Sequence, residues 1–485
     1  MRRCRASLLA CTALAGGITA GLFGTTQNVL AACSTSGPPP EVVTCGTTTT
    51  TDATTTTVTN AAVSTRAYKY NDTINATISS GAAITGAGLE FQSITAANPI
   101  TVVNSNTASI VQTVSPATTA GTAGLAVIGS GGLITYSGNG SVTTSGAAAA
   151  NVAVAISNTL TGGVNFGTSG TPIVPNYSGS SGLTVSTVNG AQNVFLDGGN
   201  VTATSAAGAG VGLTATGSGT ITAQVGNATT TTITQTAGAN SATGISASSA
   251  TGAITLTANA NIGNATTGSF NTGINASSTG AGVSVTHTGG TIFAGTGISA
   301  TSSSNTAGSN VTVTTNSGST ITATSAVATG VIGAFQSGTG GGITVTVNGN
   351  ITGGGNVSTG VNAQISNAAN AHDVTVTQNT DVVATFNGVA VVTTGTGNVT
   401  ATGSGNVTGT SSAGILVFQS YSGVPTIVGN VTVGGTGTTS SNAFAIDAQI
   451  SGAHNNGNIV ITRSGTTWSC RRISSDRRTA FRNSS

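Results

Sequence analysis

Residues 297–330 read GISATSSSNTAGSNVTVTTNSGSTITATSAVATG, and three short elements stand out within them. The first is a glycine followed by an apolar, a variable and a small residue: Gly297-Ile298-Ser299-Ala300. The second, Val311-Thr312-Val313-Thr314, alternates apolar and hydroxyl-bearing residues with a period of two, the mark of a half-buried strand. The third, Thr320-Ile321-Thr322, follows a Gly-containing turn, and Gly330 opens the next copy.

Outward from this stretch, the first element recurs at Gly244-Ile245, Gly273-Ile274, Gly297-Ile298, Gly330, Gly360-Val361, Gly388-Val389 and Gly414-Ile415. The steps are 29, 24, 33, 30, 28 and 26 residues, a mean of about 28. Weaker copies stand at Gly88-Leu89, Gly124-Leu125 and Gly212-Leu213. The second element returns at Ile254-Thr255-Leu256-Thr257, Val283-Ser284-Val285-Thr286, Ile343-Thr344-Val345-Thr346 and Val374-Thr375-Val376-Thr377. The third returns at Asn350-Ile351-Thr352, Asp381-Val382-Val383 and Asn406-Val407-Thr408. Drift around one mean is what rungs joined by corner loops of variable length give. The expected fold is all-β: a parallel β-helix of about thirteen coils of roughly 28 residues, three short strands per coil, over residues 68–462. One coil cannot bury enough apolar surface to offset the ordering of its own backbone, so the unit must stack. Between residues 160 and 210 the pattern does not fix the register.

Composition agrees. Charged residues make up 4% of the 485, aromatics 4%, and glycine supplies 72 positions, while 37% are hydrophobic and mean hydropathy is +0.25. Disordered chains carry far more charge and less apolar content, and ordinary globular domains hold about 25% charged residues. Many small apolar side chains with few large ones suit a thin core repeated many times. Charge is also oddly placed. No Lys or Arg occurs between residues 70 and 462, where the formal charges are Asp72, Glu90, Asp197, Asp373, Asp381 and Asp447. A body without basic residues cannot neutralise a phosphate backbone, which excludes nucleic acid as its partner.

The first 32 residues read as an export signal: Arg2, Arg3 and Arg5, an apolar run from Ala6 to Phe23, and a small-residue exit at Ala31-Ala32. The box Leu30-Ala31-Ala32-Cys33 leaves lipidation at Cys33 open. No later stretch is continuous and apolar enough to span a bilayer, so the mature chain is expected to have no transmembrane segment. Residues 33–67 form a Cys/Pro/Thr-rich leader or linker, in which Cys33 and Cys45 flank Pro38-Pro39-Pro40. In an oxidising compartment these two cysteines are the expected disulfide. Ile459-Val460-Ile461-Thr462 opens a further strand, and then six arginines fall within residues 463–485, an irregular Arg-rich tail that reads as truncated or frameshifted.

An export signal, a Cys-bracketed leader and Gly/Thr/Asn-rich β-helical repeats together resemble the passenger region of a Gram-negative autotransporter. The resemblance covers roughly residues 1–462 and lies in repeat style. It implies type V secretion to the cell surface, and such families end in a membrane β-barrel. Residues 463–485 are too few for even eight strands of about ten residues, which places the product in the periplasm if the translocator is missing.

Sites for chemistry are sparse. Asp373 and Asp381 share one repeat, but the other acids stand singly, where glycoside hydrolysis needs a spaced carboxylate pair. His287, His372 and His454 are far apart and read as solvent-facing. No Gly-x-Ser-x-Gly elbow, phosphate loop with a Lys or calcium repeat occurs. The expectation is no catalytic residue, no cofactor and no metal. One surface feature is sharper: Thr255/Thr257, Thr312/Thr314, Thr344/Thr346 and Thr375/Thr377 would stack into a ladder of hydroxyls and methyls, as in some ice-binding solenoids. Threonine is also simply a favoured exposed-strand residue. The leading functional expectation is an exported surface adhesin or aggregation factor, touching host or bacterial surface components or glycans, and self-associating through its exposed last coil. A polysaccharide hydrolase or lyase on the same scaffold is the first alternative, and an ice-binding solenoid the second.

Overall fold

In a computed structural model of the chain, the described residues are 33–36, 41–45, 50–51, 67–70, 73–86, 88–94, 96–112, 123–144, 151–236, 242–265, 269–324, 330–354, 358–421, 429–451, 456–465 and 470–474. The proposed export signal lies outside them. Among the described residues there is no helix, and all strands belong to one continuous sheet. Apart from Cys33–Ser36, the strands pair in parallel from one coil to the next, so the chain winds as a three-sided parallel β-solenoid.

The three sequence elements are its three faces. On the first face, Ile245, Ile274, Ile298, Ile332, Val361, Val389, Ile415 and Ile446 are successive register partners. The second face stacks Ile254, Val283, Val311, Ile343, Val374, Val399 and Val431. The third stacks Ile292, Ile321, Ile351, Val382 and Val407. All of these are buried, so each apolar side chain packs on its counterparts above and below. Removing one from mid-stack therefore opens a cavity against two coils. Ile343→Ala is expected to cost about 2–5 kcal/mol in denaturant unfolding.

The register corrects the sequence alignment at two points. Ile332, not Val331, partners Ile298, so the coil begins one residue after the position that Gly330 suggested. Val211 partners Ile245, so Gly210-Val211 is the first element there and Gly212 faces outward. The segment 160–210 has regular register, with Val154, Leu183 and Val211 stacked on the first face. Some corners are also smoother than expected, since Val283–Ser302 runs as one strand round two corners.

The corner glycines are set by close approach. A Cβ on Gly297 would overlap the Cγ2 of Ile321 and lie 2.7 Å from the carbonyl oxygen of Val331. Gly244, Gly273, Gly360 and Gly388 meet the same kind of obstruction, a β-branched third-face residue plus the next coil's carbonyl.

Polar side chains at the end of the first face hold the following loops. The buried Ser249, Ser278, Ser302 and Gln336 are successive register partners. Ser278 Oγ donates to the Gly252 carbonyl at 2.9 Å and accepts from the Ala281 amide at 3.1 Å. Gln336 Nε2 donates to the Ser309 carbonyl at 2.8 Å. Ser278→Ala strands both a buried donor and an acceptor, and the expected loss is about 1–3 kcal/mol by the same unfolding measurement.

The arginines do not begin outside the fold. Arg463 stands in a column above Gly403 and Gly435 and is 7% exposed. Its guanidinium reaches down past the two glycines to donate to the carbonyls of Gly434 (3.2 Å), Gly403 (3.3 Å) and Gly405 (2.6 Å). Burial lowers its pKa to about 10, which leaves it charged at neutral pH. Beyond it, the strand Cys470–Ser474 pairs in parallel with the first-face strand Phe444–Ile450, so the segment expected to be an irregular tail adds a strand to the stack.

Candidate contact face

The outward positions of the second face carry the threonine ladder. Its first column runs Thr255, Ser284, Thr312, Thr344, Thr375 and Thr400, and its second Thr257, Thr286, Thr314, Thr346, Thr377 and Thr402, each residue the register partner of the next. All eight threonines expected from the sequence are there. The coil carrying Ser284 and Thr286 falls between Thr255/Thr257 and Thr312/Thr314, and Thr400/Thr402 extends the array to six coils. The same alternation marks both additions in the sequence. Adjacent rungs lie about 4.8 Å apart and the two columns about 6.6 Å, twice the rise per residue. The hydroxyls make no hydrogen bond within the described structure, the side chains are exposed or half-buried, and neither column holds a charge.

The other two faces differ. On the first, the outward pairs in register are Ser299/Thr301, Gly333/Phe335, Asn362/Gln364, Ala390/Val392 and Leu416/Phe418. The third presents Phe293, Thr322, Thr352, Val383 and Thr408 in one column. Some neighbouring hydroxyls on the third face bond each other, Thr202 to Thr234 at 3.2 Å and Thr408 to Ser440 at 3.1 Å. All three faces share one backbone geometry. Threonine also stands outward on the third face, including the pair Thr320/Thr322, but an unbroken six-coil run of paired hydroxyls occurs on the second face alone, and exposed-strand preference by itself does not account for that run.

A shallow depression of about 460 Å³ borders this face, where the loop carrying His372 and Asp373 meets Thr344 and Thr375. Three of the acids have backbone work. Asp373 Oδ1 accepts from the Asn398 amide at 2.7 Å, Asp381 Oδ1 from the Asn406 amide at 3.1 Å, and Asp197 Oδ1 from the Thr229 amide at 2.7 Å. Asn398 and Asn406 do the same for the coil above, which makes these aspartates members of an asparagine ladder. Asp373 and Asp381 flank the strand Val374–Gln378 and so occupy different corners. Among the described residues, no group of three or more His, Cys, Asp or Glu could hold a metal.

His287 corrects the sequence reading: it is fully buried, not solvent-facing. It stands inward between Ala258 and Thr315, as the alternation from Val283 and Val285 requires. Its Nε2 lies 3.4 Å from the Ala260 carbonyl, Nδ1 has no partner, and desolvation lowers its pKa to about 4. His372 is exposed, and His454 lies outside the described residues. Tyr136 and Tyr177, both buried, join hydroxyl to hydroxyl at 3.4 Å beside Phe166, and burial raises both phenol pKa values. Cys33 and Cys45 are directly opposed on two antiparallel strands.

No helix of the described residues is long and apolar enough to cross a membrane. Comparison with protein-family models, curated proteins and solved structures finds no match. The fold therefore defines the class, a three-sided parallel β-solenoid, and the site must carry the function.

Proposed function

We propose that the protein is an exported structural β-solenoid that works by contact, in adhesion or aggregation at a Gram-negative cell surface, and not by catalysis. The observation that carries this reading is the second face: six coils of outward hydroxyls with no internal partner and no charge, while Asp373 and Asp381, the two acids of one repeat, are spent on backbone amides at separate corners. Such a face offers hydrogen bonds over a large area without a reaction centre. Displayed on a heterologous Gram-negative cell through a supplied translocator, the chain is expected to increase sedimentation or attachment to abiotic and glycan-coated surfaces. Release of reducing or unsaturated sugar ends from a polysaccharide panel, abolished by Asp373→Asn, would overturn it in favour of a hydrolase or lyase. N-terminal sequencing of the exported product checks the signal, with cleavage expected after Ala31 or Ala32.

The unbroken six-coil run of paired hydroxyls on the second face favours a second reading, in which the partner is an ordered water lattice. β-Branched Thr side chains on a hydrogen-bonded strand are already fixed, so docking to a regular lattice costs little ordering. The full chain is then expected to give thermal hysteresis, lost in Thr344→Tyr and retained in the third-face variant Thr352→Tyr. Hysteresis absent from the wild type, or equal in both variants, contradicts this second reading.

A further inference from the structure

One strand pair breaks the parallel rule. Cys33–Ser36 runs antiparallel to Glu41–Cys45, with Cys33 opposite Cys45 and Ser36 opposite Val42. Glu41–Cys45 in turn pairs in parallel with Ile74–Ile78, Cys45 opposite Ile78, and so forms a second-face rung at the N-terminal side of that strand. Left open, that rung would present a row of unpaired amides and carbonyls, the template on which another chain's strand adds. The strand Cys33–Ser36 covers it. An isolated antiparallel pair is weak by itself, and this one is placed with a cysteine at each end of one register pair.

We propose that Cys33 and Cys45 form a disulfide that fastens Cys33–Ser36 over the N-terminal edge of the second face as an edge cap. Three observations carry it. Directly opposed residues of an antiparallel pair have Cα atoms about 4.5–5.5 Å apart, inside the roughly 4.4–6.8 Å that a disulfide spans. Cys45 also holds the register position of the buried Ile78, so the opposed pair stands at the end of the rung that closes the second face. Finally, of the other cysteines, Cys4 and Cys11 fall in the export signal and Cys470 pairs at the far end of the chain, opposite Ile446. The inference is independent of what the second face binds and rests only on export for its oxidising compartment. Closure removes one hydrogen from each thiol. The two protons and two electrons pass to a disulfide oxidant, in the cell a periplasmic thiol–disulfide oxidoreductase and in vitro oxidised glutathione, which leaves as two thiols.

The full chain is purified from the periplasm, or equilibrated with oxidised glutathione, and digested with trypsin after alkylation without reduction. No Lys or Arg lies between Arg5 and Arg66, so one tryptic peptide holds both cysteines. Expected is a peptide in which Cys33 and Cys45 take up alkylating reagent only after reduction, with Cys470 modified throughout. Free alkylation of both in the oxidised, folded protein, or a link from either to Cys470, overturns the proposal. Because the glutathione arm needs no export, its failure is separate from failure of the surface-contact reading. Amide hydrogen exchange then tests the cap: residues 41–45 are expected to exchange at least about tenfold more slowly in the oxidised chain than in Cys33→Ser. Equal exchange in the two would leave a disulfide without a cap and refute the structural half.

Discussion

Gly297→Val is expected to destabilise the solenoid by about 3 kcal/mol or more, in denaturant or thermal unfolding. A Cβ there has nowhere to go: it overlaps Ile321 Cγ2 on one side and meets the Val331 carbonyl at 2.7 Å on the other. Overpacking of a filled core costs about 1–3 kcal/mol, and here one of the two obstacles is backbone that cannot rotate away. The chain contains its own exception. Val331 occupies the equivalent place one coil later, and there the third face carries Gly353 where the coil below has Ala323. A Cβ on Gly353 would lie 3.2 Å from Val331 Cγ2, so the space taken on one strand is returned by the other. Adding Ala323→Gly to Gly297→Val should therefore recover at least about 1 kcal/mol. A single variant within about 0.5 kcal/mol of the wild type would show that the corner is looser than its geometry.

The second large effect is on pH. His287 is buried and neutral, with its pKa lowered from 6.5 to about 4 by desolvation. In the unfolded chain it binds a proton near pH 6.5, so between about pH 6.5 and 4 the unfolded state holds more protons and stability falls as pH falls. Above pH 7 His287 contributes no slope, and below about pH 4 its contribution levels off. A shift of that size corresponds to about 3 kcal/mol. In His287→Thr, which repeats the residue found one coil later at Thr315, that loss should vanish. Unfolding free energies measured from pH 8 to pH 4 on both proteins check this, and parallel curves for the two would refute it.

His287 also shows what the sequence could and could not convey. The alternation Val283, Val285, His287 placed it inward, yet a lone polar residue is ordinarily exposed, and the period outweighed the residue type. Fold class was legible because period-two alternation and a repeating glycine recur through most of the chain. The exact register was not. Gly210-Val211-Gly212-Leu213 offers two overlapping copies of one motif, and only the third-face Ile233, which a Cβ on Gly210 would strike, distinguishes them. Gly330-Val331-Ile332 is ambiguous in the same way. Eight of the ladder residues were readable from Thr-x-Thr pairs. The meaning of the ladder depended on a comparison the sequence does not display, the absence of a like array on the other two faces. Arg463 was read by charge alone as outside the pattern, because its binding site is built from carbonyls of Gly403, Gly405 and Gly434, which carry no side-chain signal.

The continuous three-sided stack is best tested by distance. With the native cysteines replaced by serine, spin labels at Thr255→Cys and Thr400→Cys lie on the same outward column, five rungs apart through Ser284, Thr312, Thr344 and Thr375. Electron–electron dipolar spectroscopy is expected to give one narrow distribution centred near 24 Å, five strand spacings of about 4.8 Å. A broad distribution, or a centre beyond about 35 Å, would contradict the shared register on which the face, the corner glycines and the buried columns all depend.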